Sequence, residues 1–232
     1  QDMGQKKLIR FEEIKAFSNV LIYPEDIAGK WNRHFGNDRP ITLELACGKG
    51  DYTLGLARMF PEENFIGVDV KGNRIWRGAR TALDEQMDNV AFLRTQIDQL
   101  TKYFKPGEVK EIWITFPDPF LRKSKAGKRL THARFLHLYH RILQDGGKIH
   151  LKTDSPELYA FTKASIQENH CELHRDIPDI YEGDTGEILS IKTFYEQMHL
   201  EKGRTIRYLQ FSLPAVLPPL TLRYQLSHAA AD

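Results

Sequence analysis

The chain has little cysteine, and what it has is badly placed for staples or metals. Cys47 and Cys171 are the only two in 232 residues, and the nine histidines are scattered. That spacing excludes a disulfide framework and a Cys/His zinc site, so no metal is expected. Long apolar runs are missing as well. None approaches the ~18 residues of a membrane helix, and no apolar leader core follows Gln1 to Lys7. A cytoplasmic protein with no membrane partner is therefore expected. Nor is there an excess of one charge. Lys and Arg number 33 against 31 Asp and Glu, leaving +2, so affinity for nucleic acid has to come from local clusters. Repeats and low-complexity tracts are also absent, and the length suits one sizeable domain.

What the chain does have is a regular alternation of strand and helix signals. Residues 1–40 read as a polar, partly helical arm, with Phe11, Ile14 and Phe17 on one face, ended by Asn37-Asp38-Arg39-Pro40. Strands are predicted over 41–46, 64–70, 90–95, 109–115, 148–152 and 171–177. Helices are predicted over 51–59, 73–87, 133–143 and 156–168. This alternation builds βαβ units and a mostly parallel sheet. Pro214, Pro218 and Pro219 make 214–232 an irregular tail and leave 41–213 as the domain.

Two short stretches carry chemistry. The strand through Glu44 runs into Cys47-Gly48-Lys49-Gly50 and then a helix, the place where an open parallel sheet binds ligands. Gly48 and Gly50 let the backbone approach a ligand closely. A dinucleotide fingerprint, however, needs glycines where Ala46 and Asp51 stand. With Glu44 upstream and Asp69 ending the second strand, a cationic nucleoside cofactor, S-adenosylmethionine, fits better than NAD. Asp69 can accept hydrogen bonds from both ribose hydroxyls. The second stretch is Thr115-Phe116-Pro117-Asp118-Pro119-Phe120, followed by Arg122, Lys123, Lys125, Lys128 and Arg129. Prolines on either side stiffen the backbone around Asp118. The stretch reads either as chemistry on a polyanion or as a proline-rich turn beside a solvated charge cluster.

Residues 44–50, residues 116–130, and Thr193-Phe194-Tyr195-Glu196 with Lys202-Gly203 together resemble the bacterial tRNA (guanine-N7)-methyltransferase family, over roughly 41–213. The resemblance implies a Rossmann-like class I methyltransferase fold, an α/β architecture. Its seven-stranded, mostly parallel sheet would have helices on both faces and an antiparallel final hairpin. It implies methyl transfer from S-adenosylmethionine to N7 of a guanosine in tRNA, the variable-loop guanosine at position 46, by a monomer or homodimer. Glu44, Asp69, Gln96 and Asp118 would line the cofactor pocket around Gly48 and Gly50, with Asp118 catalytic. Arg122, Asp154, Thr193 and Glu196 would meet the tRNA. The cations of 122–129 with Arg134, and a second group of Lys192, Lys202, Arg204 and Arg207, would grip phosphates.

The pattern has departures and second readings. Ala46 stands for the family's first glycine, Phe120 for a tryptophan and Arg122 for a lysine. Gln96 stands where an acid is usual, with Asp98 two residues on as the alternative acceptor. Asp154 reads equally as the N-cap of the helix opening at Pro156, and Thr193 and Glu196 as an ordinary exposed segment. Three rivals share parts of the pattern. An adenine amino-methyltransferase would want a second proline after Asp118-Pro119, and a dehydrogenase is opposed by the broken glycine fingerprint. A non-catalytic RNA-binding module leaves Glu44, the glycine turn and Asp69 without a use.

Overall fold

Alternate residues of a strand face opposite sides of a sheet, and here both sides are apolar. Ile41, Leu43 and Leu45 join Ile66, Val68, Leu93, Ile112 and Ile114 in one core layer. Phe65, Phe92, Trp113 and Tyr208, one residue out of phase, fill the other. The computed structural model that shows this describes residues 2–223. In chain order its elements begin with α1 (Met3–Glu13), β1 (Val20–Ile22), α2 (Trp31–Phe35), β2 (Ile41–Leu45), α3 (Asp51–Met59), β3 (Asn64–Asp69), α4 (Gly72–Asp84) and β4 (Val90–Arg94). They continue with β5 (Glu111–Thr115), α5 (Ala133–Ile142), β6 (Lys148–Thr153), α6 (Pro156–Glu168), β7 (Glu172–Ile177), α7 (Phe194–Glu201) and β8 (Arg207–Ser212).

The strand order is β1-β4-β3-β2-β5-β6-β8-β7. All neighbours are parallel up to β6; β8 then pairs antiparallel with both β6 and β7. The order reverses at β2, so the glycine turn and the Asp118 loop leave from adjacent strands, β2 and β5. Apolar faces of α3 and α4 cover one side, and those of α5 and α6 the other.

Among the described residues the sheet has eight strands, one more than expected. The extra strand is β1, which pairs in parallel with β4 through Val20, Leu21 and Ile22. Three residues before a Tyr-Pro carry too little periodicity to read as a strand. The N-terminal stretch is helical over α1, and the residues after it bury Ile14 and Trp31 completely. Trp31 stacks on Phe104 at 5.3 Å and donates from Nε1 to the Tyr103 carbonyl at 2.8 Å. From Leu213 to Thr221 the chain is irregular, as expected of the tail, but Leu222 and Arg223 are helical; the irregular part is docked. Ala215 and Pro218 offer carbonyls to His140 Nε2 and His137 Nε2, each at 2.9 Å, and Leu217 is buried. The rest of the expected tail, 224–232, lies outside the described residues.

Candidate active site

The carboxyl ends of β2, β3, β5 and β6 open into a cavity of about 620 Å3. After β2 the backbone turns through Ala46, Gly48 and Gly50, all at positive φ (52°, 54° and 74°). Gly50 has no alternative: a Cβ there would sit 2.8 Å from the Phe92 ring. Ala46 adopts the left-handed conformation without glycine's freedom, as do Phe116 (49°) and Phe120 (42°) in the facing loop. Each such residue costs on the order of 1 kcal/mol and persists only where its surroundings impose it.

Asp69 locks the turn. Its Oδ2 accepts from Gly48 N and its Oδ1 from Lys71 N, both at 2.9 Å, and its carboxylate lines the cavity between them. Each oxygen keeps acceptor capacity for a ligand hydroxyl. Beside it, Val70 and Ile97 give the cavity an apolar wall.

Glu44 does not face this cavity. It is 2 % exposed and lies beneath the turn. Its Oε1 accepts from Thr53 N (3.0 Å) and Thr53 Oγ1 (2.6 Å), and its Oε2 from Thr115 Oγ1 (2.7 Å). The carboxylate therefore ties the first turn of α3 to the end of β5. Strand parity explains the placement, because Leu43 and Leu45 take the opposite layer. Burial raises its pKa to about 7, against three hydrogen bonds, two from Thr53 and one from Thr115. The folded-state value lies above the unfolded one, so this group's contribution to stability is present at low pH. It is lost as pH rises from about 4.5 through about 7, by about 3 kcal/mol in all. In Glu44→Gln that fall should disappear from Tm measured across the window, with S-adenosylmethionine affinity kept within a few-fold. A carboxylate that touched the cofactor would instead lose affinity at least tenfold.

Asp118 is exposed to the cavity, and its Oδ1 accepts from Phe120 N at 2.9 Å, closing a small turn over Pro119. Arg129, expected among the phosphate-binding cations, belongs to this loop instead. It is 9 % exposed and its guanidinium reaches three successive carbonyls. Nε donates to Pro119 O (3.0 Å) and Phe120 O (3.1 Å), and Nη2 to Phe120 O (2.9 Å) and Leu121 O (3.5 Å). Its other flank lies 4.6 Å from the Phe161 ring centroid. Arg134 likewise donates to Gly127 O. Arg122, Lys123, Lys125 and Lys128 remain exposed, and Lys128 lines the cavity. A lysine cannot bridge three carbonyls with a planar fork. Arg129→Lys should lower kcat about tenfold through a loosened Asp118 loop. The salt dependence of tRNA binding should not move; a flattened slope would make Arg129 a phosphate contact after all.

Asp154 also lines the cavity, and it is not the helix cap. That role falls to Ser155, whose hydroxyl accepts from Leu158 N at 3.1 Å. Arg204 Nη1 donates to Asp154 Oδ2 at 2.9 Å and lies 2.9 Å from His199 Nδ1, which is itself 3.3 Å from Asp154 Oδ2. Burial holds the His199 pKa below its ordinary value, against the pull of Asp154. His199 also packs its ring 5.5 Å from Phe116. Sequence reasoning missed this imidazole. A lone histidine on a short helix carries no signal until Asp154 and Arg204 are brought to it.

Thr193 and Glu196 divide. Thr193 caps α7, accepting from Glu196 N at 3.0 Å, and borders the cavity with Phe194 and Tyr195. Glu196 is completely buried, and its expected contact with tRNA is replaced by an internal one. Its Oε2 meets Lys152 Nζ at 2.8 Å and its Oε1 accepts from Tyr181 OH at 2.5 Å. Lys152, itself buried in β6, also donates to Leu189 O and Ile191 O at 3.2 and 3.1 Å. Gln96 is exposed at the end of β4 and lies outside the cavity lining, whereas the next residue, Ile97, is in it. Asp98 Oδ1 is buried with no hydrogen-bond partner among the described residues. Those residues hold no cluster of His, Cys, Asp and Glu that could bind a metal, and no helix long and apolar enough to cross a membrane.

Residues 38–209 match the family model described as "Putative methyltransferase". The chain is 54 % identical over 213 residues to a tRNA (guanine-N(7)-)-methyltransferase of Porphyromonas gingivalis, covering 86 % of each chain. It is 47 % identical to the protein of that name from Bacteroides thetaiotaomicron (91 % of this chain, 87 % of the relative). With the one from Streptococcus mutans it shares 34 % (81 % and 88 %). Among solved structures, the 16S rRNA methyltransferase KamB superposes with a TM-score of 0.60 at 14 % identity, over 79 % of this chain and 94 % of that one, a likeness of fold alone. A parallel sheet reversing at β2, a glycine turn locked by Asp69 and a stiffened Asp118 loop thus coincide with relatives matched along nearly their whole length, and the chain belongs to the tRNA (guanine-N(7)-)-methyltransferase family.

Proposed function

We infer that the chain transfers a methyl group from S-adenosylmethionine to N7 of a guanosine in tRNA, and that the guanosine is the variable-loop one at position 46. The observation that carries this reading is one cavity that joins the Asp69-locked turn to the Asp118 loop, with Lys128 at its margin. The donor set fits a cationic nucleoside. Asp69 offers carboxylate oxygens for the ribose, Val70 and Ile97 offer an apolar wall for the adenine, and Asp98 Oδ1 is the orphaned acceptor near the same strand end. No nest of glycines stands ready for a pyrophosphate. When bound, S-adenosylmethionine supplies a methyl group made electrophilic by its sulfonium.

Guanine N7 bears an in-plane lone pair and no proton, so no base is needed to expose it. The chain's task is to hold the purine so that N7 meets the methyl in line. Asp118 suits that task, accepting from guanine N1–H and the exocyclic amine and leaving the N7 edge free. Methylation makes the ring cationic and its N1–H a stronger donor. The bond to Asp118 therefore tightens as the reaction proceeds, which is stabilisation specific to the transition state. His199, held beside Arg204 and Asp154, and the Phe116 ring tilted against it border the same space. Arg122, Lys123, Lys125 and Lys128 take phosphates.

Incubation with methyl-labelled S-adenosylmethionine and bulk tRNA, followed by nucleoside digestion, tests the reading. Label should appear as 7-methylguanosine, and chemical scission at that nucleoside should cut the variable loop. Label in adenosine, or none, overturns the reading, and a cut elsewhere overturns the position.

A further inference from the structure

A second cleft, of about 440 Å3, adjoins the active-site cavity; Lys49, Asp51 and Phe194 line both. It runs along α3 and α4 under the segment that leads into α7. Lys49, Arg58, Arg77 and Lys192 line it, with Asp51 as the one carboxylate. That carboxylate is engaged, its Oδ2 accepting from Phe194 N at 2.8 Å. Arg58 pairs with Glu85 at 2.7 Å. The other three cations have no carboxylate within ion-pair distance among the described residues, and rest on aromatic rings. Lys49 Nζ lies 3.6 Å from the Phe194 centroid, Arg77 lies 6.0 Å from Trp76, and Lys192 lies 5.7 Å from Tyr181. Arg80, one turn beyond Arg77 on the same helix, does have its acid, Asp84 at 3.3 Å. The cleft thus gathers three cations without an acid partner, beside one engaged carboxylate. Phe194, between the two spaces, is 48 % exposed, as an apolar ring waiting for a stacking partner would be.

We propose that this cleft binds the sugar–phosphate backbone of the RNA strand next to the nucleotide in the active site. The proposal rests on the functional reading above. A nucleotide seated in a pocket has a strand on each side of it. The exposed loop cations up to Lys128 meet one side, and Lys49, Arg77 and Lys192 meet the other across Phe194. Long side chains with mobile charged tips suit a polyanion followed by its charge, whereas a small anion calls for a closed set of hydrogen bonds.

The test uses the full chain and bulk tRNA. In Arg77→Gln/Lys192→Gln, tRNA dissociation constants near 100 mM salt should rise about tenfold, and the log–log salt slope should flatten by about 1–2. S-adenosylmethionine affinity measured by calorimetry should not change. A control with the same charge change at exposed sites away from the cleft, Lys102→Gln/Lys105→Gln, should bind tRNA within about twofold of wild type. An unchanged slope in the first variant, or an equal loss in the control, overturns the cleft. Wild-type protein that binds no tRNA overturns the functional reading and the cleft with it, so the two failures are distinct.

Discussion

Asp118→Asn should fold normally, bind S-adenosylmethionine almost as well as the wild type, and lose about 10²–10³ in kcat. The side chain is exposed to the cavity, and its one internal bond, Oδ1 from Phe120 N, can be made equally by asparagine. The loop would keep its shape, since Pro117, Pro119 and the Arg129 fork are untouched. What goes is the negative charge, and with it, on the proposed reading, a bond that would strengthen as the guanine becomes cationic. Single-turnover rates beside cofactor titrations make the comparison. Turnover close to wild type would remove Asp118 from the chemistry.

Lys152→Met should have the largest effect on stability. It strands Glu196 in the interior with Tyr181 OH alone and leaves the Leu189 and Ile191 carbonyls without their shared donor. Breaking a buried pair from one side costs about 3–5 kcal/mol, or a fall in Tm of roughly 6–20 °C for a chain of this size. The double variant Lys152→Met/Glu196→Met should recover much of that loss, because no isolated charge remains buried. Calorimetric melting of the three proteins tests this, and a single variant as stable as wild type would contradict it. Because α7 carries Phe194, Tyr195 and His199 into the cavity, the single variant should also lose activity below its melting range.

The parts of this molecule that follow local rules were legible in its sequence. The helices over α3 and α6 fall where hydrophobic period and the Pro156 start signal put them. Asp69 and the proline-flanked Asp118 line the cavity, and the glycine turn borders it through Ala46, Cys47 and Lys49, with Gly48 and Gly50 themselves outside the lining. What was not legible depends on partners distant in the chain. Glu44 looked like a cofactor carboxylate because it precedes the turn; strand parity alone could have turned it inward. Arg129 sat in a run of cations, and nothing local separates the one that folds back on carbonyls from those that stay in water. Lys152, a lysine within a buried strand, advertised that it needed an anion without saying that Glu196 would come from 44 residues away. The strand at Val20–Ile22 is too short for any pattern, and only the open edge of β4 calls it into the sheet.

The claim on which the rest depends is that Asp118 works by fixed charge and position, with no proton moving as the methyl transfers. The solvent isotope effect on single-turnover methylation of tRNA, compared in light and heavy water at saturating cofactor, tests it most directly. The rates should agree, with a ratio of about one. A slowing of about twofold or more in heavy water that vanishes in Asp118→Asn would show a proton in flight at that carboxylate and contradict the account.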